Sequence, residues 1–191
     1  MSFLDTILGR DKPVKSKVDK LFGLTTCDVT METALSMKPT NKAAISFRPV
    51  STFDWGDLEK EIADLLEVST HDSPLTWKWF TDEFEFKWVI LEAKEFENLI
   101  ATANMIGDEL TDHGFGDQLL AAIVQYQDAD ANQVYLIYNY KRATFYPFVP
   151  DPAKTRERLN AEEFRISGTL AKELPIEKEV ESWYPLWGVP L

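Results

Sequence analysis

The stretch "QLLAAIVQYQDADANQVYLIYNYKRATFYPF", Gln118–Phe148, decides the fold. Two runs rich in aliphatic, β-branched and aromatic residues, "QLLAAIVQY" and "QVYLIYNY", flank the polar "QDADAN", and a third run, "TFYPF", follows the short "KRA". Such runs suit pleated, half-buried strands, while Asp- and Asn-rich spacers suit turns, so the pattern predicts a hairpin continued by a third strand. Strands joined by turns this short run antiparallel. Alternation puts Leu136 and Tyr138, continuing to Tyr140, on one face and Ile137 and Asn139 on the other. The rings therefore fill a core, and Lys141 and Arg142 fall in the turn between strands.

The same logic extends upstream. In "LTWKWFTDEFEFKWVILEA" aromatic and β-branched residues lie on both sides of "TDE", which predicts a second hairpin carrying Trp77, Trp79 and Trp88. "KAAISFRPV" reads as a strand from Lys42 to Arg48, ended by Pro49. The longest helix is expected in "KEFENLIATANMIGDELTDHG", where Phe96, Leu99, Ile100, Ala103, Ile106 and Leu110 form one stripe and Gly114 supplies a left-handed stop. Trp55, Leu58, Ile62, Leu65 and Leu66 mark another helix, with Asp54 as its cap, and "DVTMETALSM" a third, capped by Asp28 and stopped before Pro39. Asp151–Glu173 reads as helical in pieces, followed by an extended "SWYPLWGVPL". The whole predicts an α+β fold: an antiparallel β-sheet with helices packed mainly on one side. Residues 25–191 read as a single domain with a Trp-rich C-terminal tail, preceded by an arm of residues 1–24.

Composition narrows the function classes. With 45% hydrophobic residues in 191, there is enough apolar material for one core, which excludes a disordered acidic chain. The net charge of -12 repels phosphate backbones and argues against nucleic-acid binding. A lone cysteine, Cys27, forms no internal disulfide and suits the cytoplasm. The N-terminus lacks the features of a signal peptide, and Ser2 stands where myristoylation needs glycine. No run approaches the ~20 apolar residues of a membrane span. The arm is different in character: five basic residues against three acidic ones follow or flank Phe3, Leu4, Ile7 and Leu8, which share one face of a short amphipathic helix. That stripe suits either the protein's own core or a peripheral contact with an anionic membrane.

Several motifs fail on inspection. Asp128, Asp130 and Asn132 match the first calcium-loop positions, but Gln133 replaces the turning glycine and Asn139 the bidentate glutamate. Glu109, Asp112 and His113 share a helix end, where a histidine is already favourable beside the last carbonyls. "HGFGDQ" lacks the lysine of a phosphate loop, no G-x-S-x-G elbow exists, and Cys27 has no evident base. The sequence thus names no catalytic residue, metal site or cofactor.

The segments "FLDTILGRDKP", "KVDKLFGL", "KPTNKAAISFRPV", "HGFGDQLL", "YNYKRATFYPFVP" and "LPIEKEVESWYPLWGVPL" carry a resemblance to the PspAB family of PspA-associated proteins, running nearly end to end. The resemblance implies a membrane-stress setting, with a PspA-type phage-shock protein or a membrane protease as protein partner. It carries over no catalytic residue. The expectation is a non-enzymatic adaptor in the cytoplasm or at the inner membrane face, with Phe3, Leu4, Ile7 and Leu8 available to partner or membrane, and Lys141, Arg142, Trp183 and Trp187 to a partner. The alternative is an enzyme of unrecognised type with a pocket at Tyr140–Arg142.

Overall fold

Alternating apolar residues build six strands: β1 (Lys38–Phe47), β2 (Leu75–Thr81), β3 (Lys87–Ala93), β4 (Leu119–Gln127), β5 (Gln133–Asn139) and β6 (Thr144–Phe148). In this computed structural model, which describes residues 21–48, 52–70 and 74–191, they form one antiparallel sheet in the order β2-β3-β1-β4-β5-β6. Both predicted hairpins are present. The β4–β5 register pairs Ile123 with Ile137 and Ala122 with Tyr138, and β6 continues it by pairing Phe145 with Tyr138.

Four helices, α1 (Gly23–Leu35), α2 (Thr52–Thr70), α3 (Phe96–Asp112) and α4 (Asn160–Leu170), supply the apolar side chains that cover one face. Ala43, Ile45, Val124, Leu136, Tyr138 and Phe145 point into this layer. The α+β architecture is as predicted. The opposite face carries Ala44, Ile90, Ile123, Ile137 and Tyr146, and the C-terminal tail crosses it with Trp183, Leu186 and Val189. Period-two alternation separates these two layers, since neighbouring residues of a strand face opposite sides.

The predicted stripe of α3 is buried at all six positions, and Gly114 adopts φ +85 just beyond its end. Three helix expectations are corrected. The longest helix is α2, at 19 residues against 17 for α3. Helix α1 begins at Gly23 rather than after Asp28, because Leu24, Cys27, Met31 and Leu35 form its buried stripe. Asp28 therefore lies mid-helix, where its Oδ1 is buried without a hydrogen-bond partner, and burial together with Glu32 and Glu97 raises its carboxyl above the ordinary value. Asp54 likewise falls inside α2, which already runs from Thr52. The stretch Asp151–Glu173 holds one helix, α4, after a series of turns.

Candidate partner-binding groove

A backbone return after β6 creates the site. Phe145 donates its N–H to the Pro175 carbonyl at 2.9 Å, and Glu177 donates back to the Phe145 carbonyl at 2.8 Å. The tail thus lies parallel to β6 at Phe145 and Ile176, on the edge of the sheet. Between leaving β6 and returning to it, the chain forms α4, whose Ile166 and Leu170 are buried in the core. Phe164, Ser167, Gly168 and Ala171 occupy another side of that helix and its end, and face Ile176, Val180 and Trp183 of the tail across a groove of about 970 Å³.

An ion clamp fixes one wall. Arg142 Nε donates to Glu177 at 2.5 Å and Nη2 to Glu179 at 2.7 Å, while Thr144 Oγ1 donates to Glu177 at 2.8 Å. The Glu179 backbone N–H adds a fourth bond, to Glu177 Oε1 at 3.0 Å. Burial pushes the Glu177 carboxyl up, but the Arg142 hydrogen bonds, with those from Glu179 and Thr144 and the Arg142 charge, outweigh it and bring the group down to about 2. The Glu177 hydrogen bond in turn raises Arg142 above its ordinary value, against the effect of burial. Both groups stay ionised throughout the physiological range.

A second arginine holds the other side. Arg158 Nε donates to the Glu163 carboxylate at 2.9 Å, and its Nη1 donates to the Trp183 carbonyl at 2.7 Å. Glu163 also accepts the Val149 N–H at 2.8 Å, so a carboxylate that is only 1% exposed joins α4 to the end of β6. Trp183 donates Nε1 to the Glu177 carbonyl at 3.0 Å and lies 5.6 Å from the Phe164 ring. It is a pillar between the two arginine networks.

The expected contact residues now separate. Trp183 is buried, whereas Trp187 is 37% exposed and sets its ring edge-on against Phe148 at 4.9 Å. Lys141 and Arg142 both line the groove, and both donate backbone N–H groups to Asn139 Oδ1, which caps their turn. Burial and the Arg48 charge lower the Lys141 amine, with Asp117 opposing them. Tyr140 is not in the groove: its ring is in the core, and burial raises its hydroxyl far above the usual value. Phe3, Leu4, Ile7 and Leu8 lie outside the described residues. The sequence reading missed Phe164 and Val180, which are 53% and 43% exposed beside the groove. The signal was a phenylalanine out of phase with Ile166 and Leu170, on a helix side otherwise made of serine, glycine and alanine.

Two other polar clusters are occupied by the protein's own groups, one within a turn and one between α2 and α3. Asp128 Oδ1 accepts the N–H groups of Asp130 and Asn132, and its Oδ2 accepts Asn132 Nδ2. His113 Nδ1 lies 3.0 Å from Glu61 and 3.5 Å from Glu109. Among the described residues no group of three His, Cys, Asp or Glu side chains is arranged to hold a metal ion.

A family model described as PspA associated protein B matches residues 1–191, the whole chain. The chain belongs to the PspAB family. The PspAB description names an association with PspA, and it supplies no mechanism. No curated protein and no solved structure matches this PspAB chain. Among its described residues, no helix is long and apolar enough to cross a membrane.

Proposed function

We propose that this PspAB-family chain is a non-enzymatic adaptor that binds a PspA-type protein during envelope stress, in the cytoplasm or at the inner membrane face. The observation that carries the reading is the family match over the full chain, whose description names PspA. The contact surface of this reading is the groove beside α4, an apolar concavity of the kind that takes partner side chains. Its walls are fixed by two arginine networks, while Phe164 and Val180 remain exposed at its rim. Preformed apolar grooves suit partner side chains because little ordering is needed on binding. Trp187, on the far side of the tail, and Lys141, beside the clamp, are the remaining proposed contacts.

The enzyme reading has less support. Tyr140 is buried away from the groove, and the Arg142 guanidinium is held by two carboxylates.

The test is calorimetry with the purified full chain and the purified PspA-type protein of the same organism. The wild type should bind, and Gly168→Trp should weaken binding by about tenfold, the equivalent of ~1.4 kcal/mol. A Cβ on Gly168 meets no atom within 4 Å, so the substitution fills the groove without entering the core. Absence of wild-type binding overturns the reading. Unchanged binding by Gly168→Trp moves the contact elsewhere on the surface.

A further inference from the structure

The sheet carries a projection at one edge and a hollow at the other. We propose that Phe84, with Phe80 on the strand before it, is received by the groove between α4 and the tail of a second copy of this chain, in a head-to-tail contact.

The projection is the turn between β2 and β3. Asp82 Oδ1 accepts the N–H groups of Phe84 at 2.9 Å and Phe86 at 3.0 Å, and its Oδ2 accepts Trp88 Nε1 at 2.9 Å. The Glu85 N–H donates to the Asp82 carbonyl at 3.1 Å, and the Asp82 N–H to the Phe86 carbonyl at 3.1 Å. These bonds fix a turn that holds Phe84 mostly in solvent, with Phe80 also exposed. A ring held in place beforehand loses little freedom on binding, and exposed apolar side chains grouped on one hairpin suit a contact surface.

Charge and size select the groove as its receptor. Asp82, Glu83 and Glu85 surround Phe84 in sequence, so a partner of this turn meets a phenyl ring among carboxylates. Anionic lipid repels such a tip. The chain as a whole is -12, yet the charged residues of the groove are Lys141, Arg142 and Lys178 against Glu177 and Glu179, a local +1. They stand around an apolar lining that includes Ile176 and Trp183, and about 970 Å³ leaves room for both phenylalanine rings. A smaller hollow of about 170 Å³ beside Trp187 is lined by no charged residue.

Topology makes the contact intermolecular. β2 and β6 stand at opposite ends of the sheet order, five strand spacings or about 24 Å apart, so the hairpin of one copy does not reach its own groove. Projection and groove are different surfaces, so each pair of copies keeps one free projection and one free groove, and the contact can repeat. Two rings and a short turn cover less than a standard interface, which places the association on the order of 0.1–1 mM. The contact rests on the groove of the preceding reading but needs no PspA-type protein, and such a partner competes with the second copy for it.

The test is sedimentation velocity of the purified full chain alone, from well below to well above that concentration. The wild-type sedimentation coefficient should rise with concentration. Phe84→Glu and Gly168→Trp should each weaken association at least about tenfold, with unchanged urea midpoints showing that both variants are folded. Mixed together they should regain one contact, the intact groove of Phe84→Glu receiving the intact projection of Gly168→Trp, and form 1:1 dimers and nothing larger. A wild type that stays monomeric throughout overturns the proposal and leaves the calorimetry with the PspA-type protein unaffected. Association lost in Phe84→Glu but kept in Gly168→Trp overturns it in favour of pairing between β2 edges. A mixture no more associated than either variant alone also overturns it.

Discussion

The two edges of the sheet are finished in different ways. At β6 the chain returns after α4, forms two backbone hydrogen bonds with Phe145 and locks the return with Arg142, Glu177 and Glu179. At β2 no further strand pairs among the described residues, and the strand and the turn after it expose Phe80 and Phe84 at 41% and 68%. An uncovered edge invites pairing with other chains, and short strands and charges discourage it. β2 has seven residues with an exposed Lys78, and Glu83 and Glu85 flank Phe84 in sequence. One edge is closed by structure and the other is guarded by composition. Single substitutions should therefore be costly at the first and cheap at the second.

The largest effect is expected at Trp183, which supports both arginine networks. Trp183→Ala should lower unfolding free energy by about 3–4 kcal/mol, as large-to-small changes at buried sites do, measured by urea denaturation. A loss below about 1 kcal/mol would show that the tail is dispensable and break the contrast.

Next comes the clamp. Arg142→Ala leaves Glu177, whose side chain is 6% exposed, without its cation. The expected cost is about 2–3 kcal/mol, below that of a fully buried pair because the Arg142 side chain is 27% exposed. The acid branch sharpens the point. Glu177 is depressed from 4.5 to about 2, so its contribution is fully present above about pH 4.5 and is lost as pH falls toward 2. Acid titration followed by urea midpoints should show this window in the wild type. Glu177→Gln should flatten that part of the profile, and an unchanged profile would assign the acid sensitivity to other carboxylates.

The smallest effect belongs to the open edge. Phe84→Ser should change stability by less than about 0.5 kcal/mol in the same denaturation assay, since the ring is mostly in solvent. A loss above about 1 kcal/mol would mean that this turn, too, is held by packing.

Much of the fold was legible because its signals are local. Alternation across Leu119–Phe148 gave three strands, and the spacing from Phe96 to Leu110 gave α3. The start of α1 was not legible in the same way: Asp28 has the chemistry of a cap, and only the buried row Leu24, Cys27, Met31 and Leu35 shows that the helix begins earlier. The groove was harder still. Arg142 and Glu177 are 35 residues apart, and nothing local in "YNYKRATFYPF" or "LPIEKEVESWYPL" says that they meet. Trp183 and Trp187 looked alike in the tail, yet Trp183 is buried beside the groove and Trp187 lies half-exposed against Phe148, outside it.

The parallel return of the tail also sets a delay in the life of the chain. Residues that close the β6 edge leave the ribosome about 30 positions after β6 itself, roughly 2–6 s later at 5–20 residues per second. During that interval the nascent sheet has no C-terminal seal at β6, and Arg142 waits for a carboxylate not yet made. The newborn protein is therefore most exposed to misassociation between the emergence of β6 and that of Glu177.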